Sequence, residues 1–379
     1  MQIDPEYIDI QKNTLDIIYP AYIRRRLLTK LVDKSLIVNN KRMSNGGNNL
    51  FLPDVSYIDD ISGKIDFLFR NMNTKTLIDN IEDLEFKKEY RHIVWFEIKN
   101  IKIDDILEKI SRNEKNSFLV YNSDFNSDKV SENADTITVK QVSSVLFLKF
   151  NYLLKPRTGT NNGRNIKYVV LVRLDMEKQI LEICFDKVKF DYKLMENYYS
   201  ELIKSVLTRL QELLGLEIVN IDFKALTYYI KENKDDVSLI SMKMRRNGTI
   251  AHLDSFENED FIIPILGELK TFIDLNEEMF TKNQECKEIK EKLVNFIGDI
   301  EITSDLPNVK LRWTDQLISL GADHNYRTNE YTLFMLYDEL STERGRIDYV
   351  RKYFIQCIDE LNKQIQSESL SEESNSANN

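Results

Sequence analysis

The sequence has little of what usually declares a special chemistry. Its 379 residues include only three cysteines, at positions 184, 286 and 357, too far apart for a CxxC pair. That spacing excludes a cysteine-rich zinc module and fits a reducing compartment. The three histidines, His92, His252 and His324, stand alone, with no second histidine or cysteine at ligand spacing. No glycine-rich phosphate loop is present: GTNNGRN (159–165) has three residues between its glycines where a P-loop needs four, and Arg164 is followed by Asn165. No serine or cysteine has the context of an activated nucleophile. Long apolar runs are missing too. YVVLV (168–172) is far short of a membrane span, and MQIDPEYIDIQKN has neither the cationic nor the apolar part of a secretory leader. The expectation is a cytoplasmic protein with no membrane partner.

What is present is a well-mixed globular composition. Hydrophobic residues make up 42% and charged residues 30%, enough for buried cores under a charged surface. At this length two or three domains are expected. Lys and Arg number 52 against 62 Asp and Glu. This balance argues against a polycation that coats nucleic acid, but leaves room for a local basic groove.

The pattern along the chain predicts an α+β, multi-domain protein. Residues 1–154 read as an N-terminal mixed α/β domain. It opens with helices over 7–38, broken at Pro20, and the Gly- and Asn-rich stretch 43–54 is expected to be a loop. Strands follow at 64–71, 92–100 and 117–122, with helical segments between them. KPRTGTNNGRN (155–165) reads as a linker. Residues 166–260 form a central α+β module of hairpin, helix, helix and hairpin: strands flank DMEKQ (175–179) and RRNG (245–248), and MENYYSELIKSVLTRLQELLG (195–215) is a strong amphipathic helix closed by Gly215. Residues 261–365, including YTLFMLY (331–337), read as a helical region. Its acidic start has thirteen Asp and Glu against five Lys over 254–301. Residues 366–379 read as a disordered tail.

One stretch carries a catalytic pattern. In RHIVWFEIKN (91–100), Glu97 and Lys99 lie two apart and share one face of a strand. Glu-x-Lys on a strand, with an Asp on the preceding strand, resembles the core of the PD-(D/E)XK nuclease superfamily, and the matching Asp is Asp66 in SGKIDFLF. The resemblance implies metal-dependent phosphodiester hydrolysis. Asp66 and Glu97 would hold Mg or Mn, and Lys99 would stand beside the scissile phosphate. Residues 73–91 would then be an insertion. The same pair equally fits a half-exposed strand whose Glu and Lys face solvent.

Basic clusters supply the other candidates: Arg24, Arg25 and Arg26 in YIRRRLLTK, then Arg157, Arg164 and Lys167 in a run from 145 to 174 that has six Lys/Arg and no acid, and finally Arg245 and Arg246. Such segments suit phosphate backbones of DNA or RNA, or an acidic neighbouring subunit. The leading expectation is a non-catalytic nucleic-acid- or protein-binding subunit of an assembly, a bacterial antiviral-defence complex being one setting, with no cofactor. The alternative is the nuclease, with Mg or Mn.

Overall fold

In a computed structural model, residues 3–39, 52–99, 102–112, 117–121, 129–157, 163–193, 195–246, 249–254, 264–303 and 305–376 are described; the expected loop at 43–54 lies largely outside them. The protein is α+β, as expected, and its chain forms two compact units. The first comprises Met1–Ile221, Arg327–Tyr331 and Asp338–Arg351; the second comprises Asp222–Tyr326, Thr332–Tyr337 and Lys352–Asn379.

The first unit begins with α1 (Pro5–Ile17) and α2 (Ala21–Asp33), separated at Pro20 as predicted. Next come α3 (Ile61–Asn71), α4 (Thr74–Lys87), β1 (His92–Lys99), α5 (Ile103–Arg112), β2 (Phe118–Val120), β3 (Ile137–Val142), β4 (Val145–Leu154), β5 (Ile166–Asp175), β6 (Ile180–Phe185), α6 (Tyr198–Leu214) and β7 (Glu217–Asn220). The strands run β2-β3-β4-β5-β6-β1, with β7 on β1; β2 and β3 are parallel, and the pairs from β3 to β7 antiparallel. Every residue of β5 and β6 is buried, the mark of a sheet covered on both faces. Alternation along β5 shows what covers each face. Lys167 reaches Glu85 of α4, and its backbone N–H donates to Thr14 of α1. Tyr168, one position on, meets Tyr198 of α6 edge to face. Gly215 closes α6 in the left-handed conformation, φ 66°, where glycine avoids the Cβ penalty.

Two expectations change here. Residues 64–71 are not a strand but most of α3. Asp60 caps this helix by accepting from the Gly63 N–H, and Ile65 and Leu68, three apart, form its buried side. Residues 155–165 are not a domain linker: β4 and β5 pair continuously from Val145↔Asp175 to Leu154↔Ile166, so the segment closes a hairpin inside one sheet. Residues 158–162 of it lie outside the described set.

The second unit contains α7 (Phe223–Asn233), β8 (Ser238–Arg246), β9 (Thr249–Asp254), α8 (Pro264–Leu275), α9 (Glu277–Phe280), α10 (Gln284–Thr303), β10 (Asp305–Trp313), β11 (Ile318–Asp323), β12 (Leu333–Leu336) and most of α11 (Gly345–Ser376). Its strands run β12-β11-β10-β8-β9, all antiparallel. The β8–β9 hairpin matches the prediction, with Arg246 opposite Thr249. The helical reading of 261–365 is corrected by β10, β11 and β12. Val309, Leu311 and Trp313 are buried at a spacing of two, the strand period, and Leu333 to Leu336 of the YTLFMLY run pair with β11. The central module is corrected too. The β5–β6 hairpin belongs to the first unit and β8–β9 to the second, with the boundary at Ile221. Nor is the tail unstructured up to residue 376, because α11 runs through Ser376. Trp313, Phe223, Phe334 and Phe354 make an aromatic core with ring centres 4.8 to 6.0 Å apart. His324 is buried there between the hydroxyls of Thr332 (2.9 Å) and Thr227 (3.4 Å), a structural role.

Candidate functional site

Of the three residues expected to form a nuclease centre, Glu97 and Lys99 share one strand and Asp66 stands on a helix. Glu97 is half-buried and Lys99 exposed at the end of β1, whose partners in this unit are β6 and β7. Asp66 stands on helix α3, not on a neighbouring strand, and pairs with Lys12 at 3.0 Å. No group of three or more His, Cys, Asp or Glu side chains suited to a metal ion occurs among the described residues. The donor set expected for Mg or Mn does not fit, and no hydrolytic step follows from this geometry.

Asp66 instead joins two of the predicted arginines at a different place. Asp9, Lys12, Asn13 and Asp16 follow the i, i+3, i+4, i+7 spacing of one face of α1. With Arg24 of α2, Asp66 of α3 and Arg164 ahead of β5, they line a cleft of about 420 Å³. Asp16 is its hub. One Asp16 oxygen accepts from Arg24 at 3.2 Å and the other from Arg164 at 3.3 Å, while Arg24 also donates to Ser62 Oγ at 2.9 Å. Three acids balance three cations (Asp9, Asp16 and Asp66 against Lys12, Arg24 and Arg164). Each of these cations already has a carboxylate partner, so a phosphate backbone would have to displace existing ion pairs rather than meet a bare positive groove.

The remaining basic candidates divide by exposure. Arg25 and Arg157 are exposed, with the Arg157 guanidinium 5.0 Å from the ring centre of Phe190. Arg26 donates to the Leu340 carbonyl and faces Glu339. Arg245 and Arg246 sit at the turn end of β8. Lys167 is corrected outright. It is fully buried, as is Lys149 of the same run, and both ammonium groups donate to one Glu85 oxygen, at 2.7 and 2.9 Å. Arg173 is buried against Asp175. Half of the six-residue basic run therefore serves the interior, where a charge persists only when paired.

That interior network continues across the same sheet face. Lys88 pairs with Asp186 at 2.5 Å, and burial pulls its ammonium pKa down against the attraction of Asp186. Glu182 accepts from Trp95 Nε1 at 2.8 Å and from Arg344. Burial, with Glu182 beside it, pushes the Cys184 thiol well up. This cysteine is inert as a nucleophile at neutral pH. The network fixes the sheet against α4 and the 338–351 segment and is structural in character.

The second unit carries a surface feature that sequence reading passed over. Helices α8 to α10 have a small core of Ile273 and Ile297, flanked by Leu269, Phe280 and Leu293. Around it Phe272, Leu275, Met279, Ile289, Val294 and Phe296 are between 49% and 81% exposed. Six large apolar side chains within 25 residues are more than the scattered exposure normal for a surface. The same helices are acidic, with nine Asp and Glu against five Lys over 264–303. Part of the signal was available in Phe272 and Leu275, three apart on α8, which extend the apolar stripe beyond the width one helix needs for its own core.

No family model matches this sequence, and no curated protein is significantly similar to it. No described helix is long and apolar enough to cross a membrane.

Proposed function

We propose that this chain is a non-catalytic, protein-binding subunit of a larger assembly, and that it docks its partner on the apolar face of α8 to α10. One observation carries the reading: the exposure of Phe272, Leu275, Met279, Ile289, Val294 and Phe296 on helices where, among the described residues, Ile273 and Ile297 form the buried core. Covering a side chain of this size releases about 1.5–3 kcal/mol of hydrophobic free energy. The net charge of these helices, −4 from nine acids and five lysines over 264–303, specifies the occupant further. A symmetric contact between two copies would oppose two acidic surfaces, whereas a partner with an apolar helix or strand rimmed by Lys and Arg meets both requirements. Nucleic acid is repelled by the same charge.

The test uses the full chain, purified from cells that encode it, beside a Leu275→Glu/Phe296→Glu variant. A partner held by the wild type should rebind the purified variant at least about 30-fold more weakly, the equivalent of about 2 kcal/mol at a buried anchor. Its affinity should also fall as salt rises. A partner that binds both proteins equally, or a wild type that retains nucleic acid and no protein, would overturn the proposal.

A further inference from the structure

At one end of the first unit's sheet, β4 and β6 finish while β5 and β1 begin. The chain that leaves β6 is fastened there to both ends of the β4–β5 connection. The Arg157 N–H donates to the Asp191 carbonyl at 2.9 Å, and the Tyr192 hydroxyl donates to the Arg164 carbonyl at 2.8 Å. The segment held in this way, 187–193, presents Lys187, Lys189, Phe190 and Lys193. We propose that it binds single-stranded nucleic acid, with a base stacked on Phe190 and backbone phosphates on the lysines around it.

The lysines differ from the cations of the α1 cleft in one respect that matters. Lys12, Arg24 and Arg164 each have a carboxylate partner. Among the described residues, Lys187, Lys189 and Lys193 have none. Lys187 and Lys189 are exposed, and the half-buried Lys193 ammonium sits 4.4 Å from the Tyr199 ring centre. The acids at this end are engaged elsewhere: Asp186 with Lys88, Glu196 with Arg327 at 3.8 Å, and Asp191 with a partner of its own. Two titratable groups register the positive field that results. Burial, then Lys187 and Arg327, pull the Lys193 ammonium down. Burial, then Arg91, Lys193 and Lys187, pull down the imidazole of His92. A field of this sign concentrates phosphates at the segment.

Phe190 narrows the class of polyanion. Its ring is 73% exposed amid these lysines, with the Arg157 guanidinium 5.0 Å from its centre. An exposed ring beside a cation is a platform for a base, since every base has a π-face. A duplex keeps its base faces inside the stack and would leave the ring in water, whereas a single strand can splay a base onto it. An anionic membrane would have to take up the ring together with the Arg157 charge, which is costly in hydrocarbon. A protein partner would bury three lysines, the residue type depleted from interface cores. No residue of α8 to α10 takes part, so this site and the docking surface proposed above stand or fall separately.

The probes are fluorescent thymidine and uridine oligonucleotides of about 12 nucleotides, titrated with the full chain and followed by anisotropy. An abasic oligomer of the same length, a DNA duplex and phosphatidylserine vesicles are the comparisons. The expected result is saturable binding of a single strand at about 1–100 μM, the tighter of the two oligonucleotides telling DNA from RNA. The abasic oligomer should bind at least about fivefold more weakly, as should Phe190→Ala with the thymidine strand, while Phe190→Trp retains the affinity. Phe190→Ala should leave the salt slope unchanged, whereas Lys187→Gln/Lys189→Gln should make it shallower by about 1.4. All these side chains are exposed, so the unfolding midpoints should match wild type. The absence of saturable binding up to about 0.1 mM chain would overturn the site. So would equal binding of the abasic oligomer or the duplex, wild-type affinity in Phe190→Ala, or vesicle binding without oligonucleotide binding.

Discussion

Glu85 is the residue whose loss the first unit should feel most. It is fully buried and accepts from two fully buried lysines, Lys149 at 2.9 Å and Lys167 at 2.7 Å, while its second oxygen accepts from Tyr19 at 3.3 Å. Glu85→Gln keeps the shape and removes a negative charge that both lysines contact. Removing one partner from a buried ion pair destabilises by about 3–5 kcal/mol, because the remaining charge is left without compensation. That is a large share of the about 5–15 kcal/mol by which folded proteins usually exceed unfolded ones. Urea unfolding can be read from the first unit alone, because Trp95 belongs to it and Trp313 to the second. A Trp313→Phe background leaves Trp95, 2% exposed beside Glu182, as the single reporter. The companion protein Glu85→Leu/Lys149→Met/Lys167→Met replaces all three charges by apolar groups and should recover stability to within about 1 kcal/mol of wild type or exceed it. A loss below about 1 kcal/mol for Glu85→Gln would refute the reasoning. So would a triple variant as unstable as the single one.

Acid should weaken the protein through His92. Its burial, with Arg91, Lys193 and Lys187 adding positive charge, pushes the imidazole down to about 3. The unfolded chain binds that proton near pH 6.5 and the folded chain refuses it, so stability falls as pH drops through the interval from about 6.5 to 3. At pH 5 the loss is about 2 kcal/mol, and His92→Phe should remove that part of the slope; an unchanged slope would assign it to other groups. Gly215→Ala should destabilise by about 1–2 kcal/mol, since φ is 66° and the added Cβ would lie 2.9 Å from the Lys109 ammonium that donates to the Leu214 carbonyl. An unfolding midpoint equal to wild type would show that the turn relaxes at no cost.

What could be read from the sequence was what local periodicity encodes. The apolar stripe Tyr199, Leu202, Ile203, Val206, Leu210 gave α6, and Asn-Gly between β8 and β9 gave the hairpin. The misreadings came from a local cap that was not weighed and from contacts far apart in the chain. KIDFLFRN (64–71) mixes apolar and polar residues in a way that fits a short strand or a helix, and the decision rests on the cap at Asp60, four residues upstream of Lys64. The basic run 145–174 looked like one surface because its partners lie outside it: Glu85 is 64 positions from Lys149 and 82 from Lys167. The strands β10 to β12 were absorbed into a helical reading because an acidic helical stretch precedes them. Asp16 joining Arg24 to Arg164 depends on a separation of 148 residues, which no local pattern carries.

The docking surface on α8 to α10 can be tested most directly with Met279 of α9, which is 68% exposed. Hydroxyl-radical footprinting would compare its oxidation in the isolated chain with that in the assembly isolated from cells. The account predicts rapid oxidation of Met279 in the free chain and strong protection in the assembly, together with Phe272 and Phe296. Equal oxidation of all three in both states would contradict it.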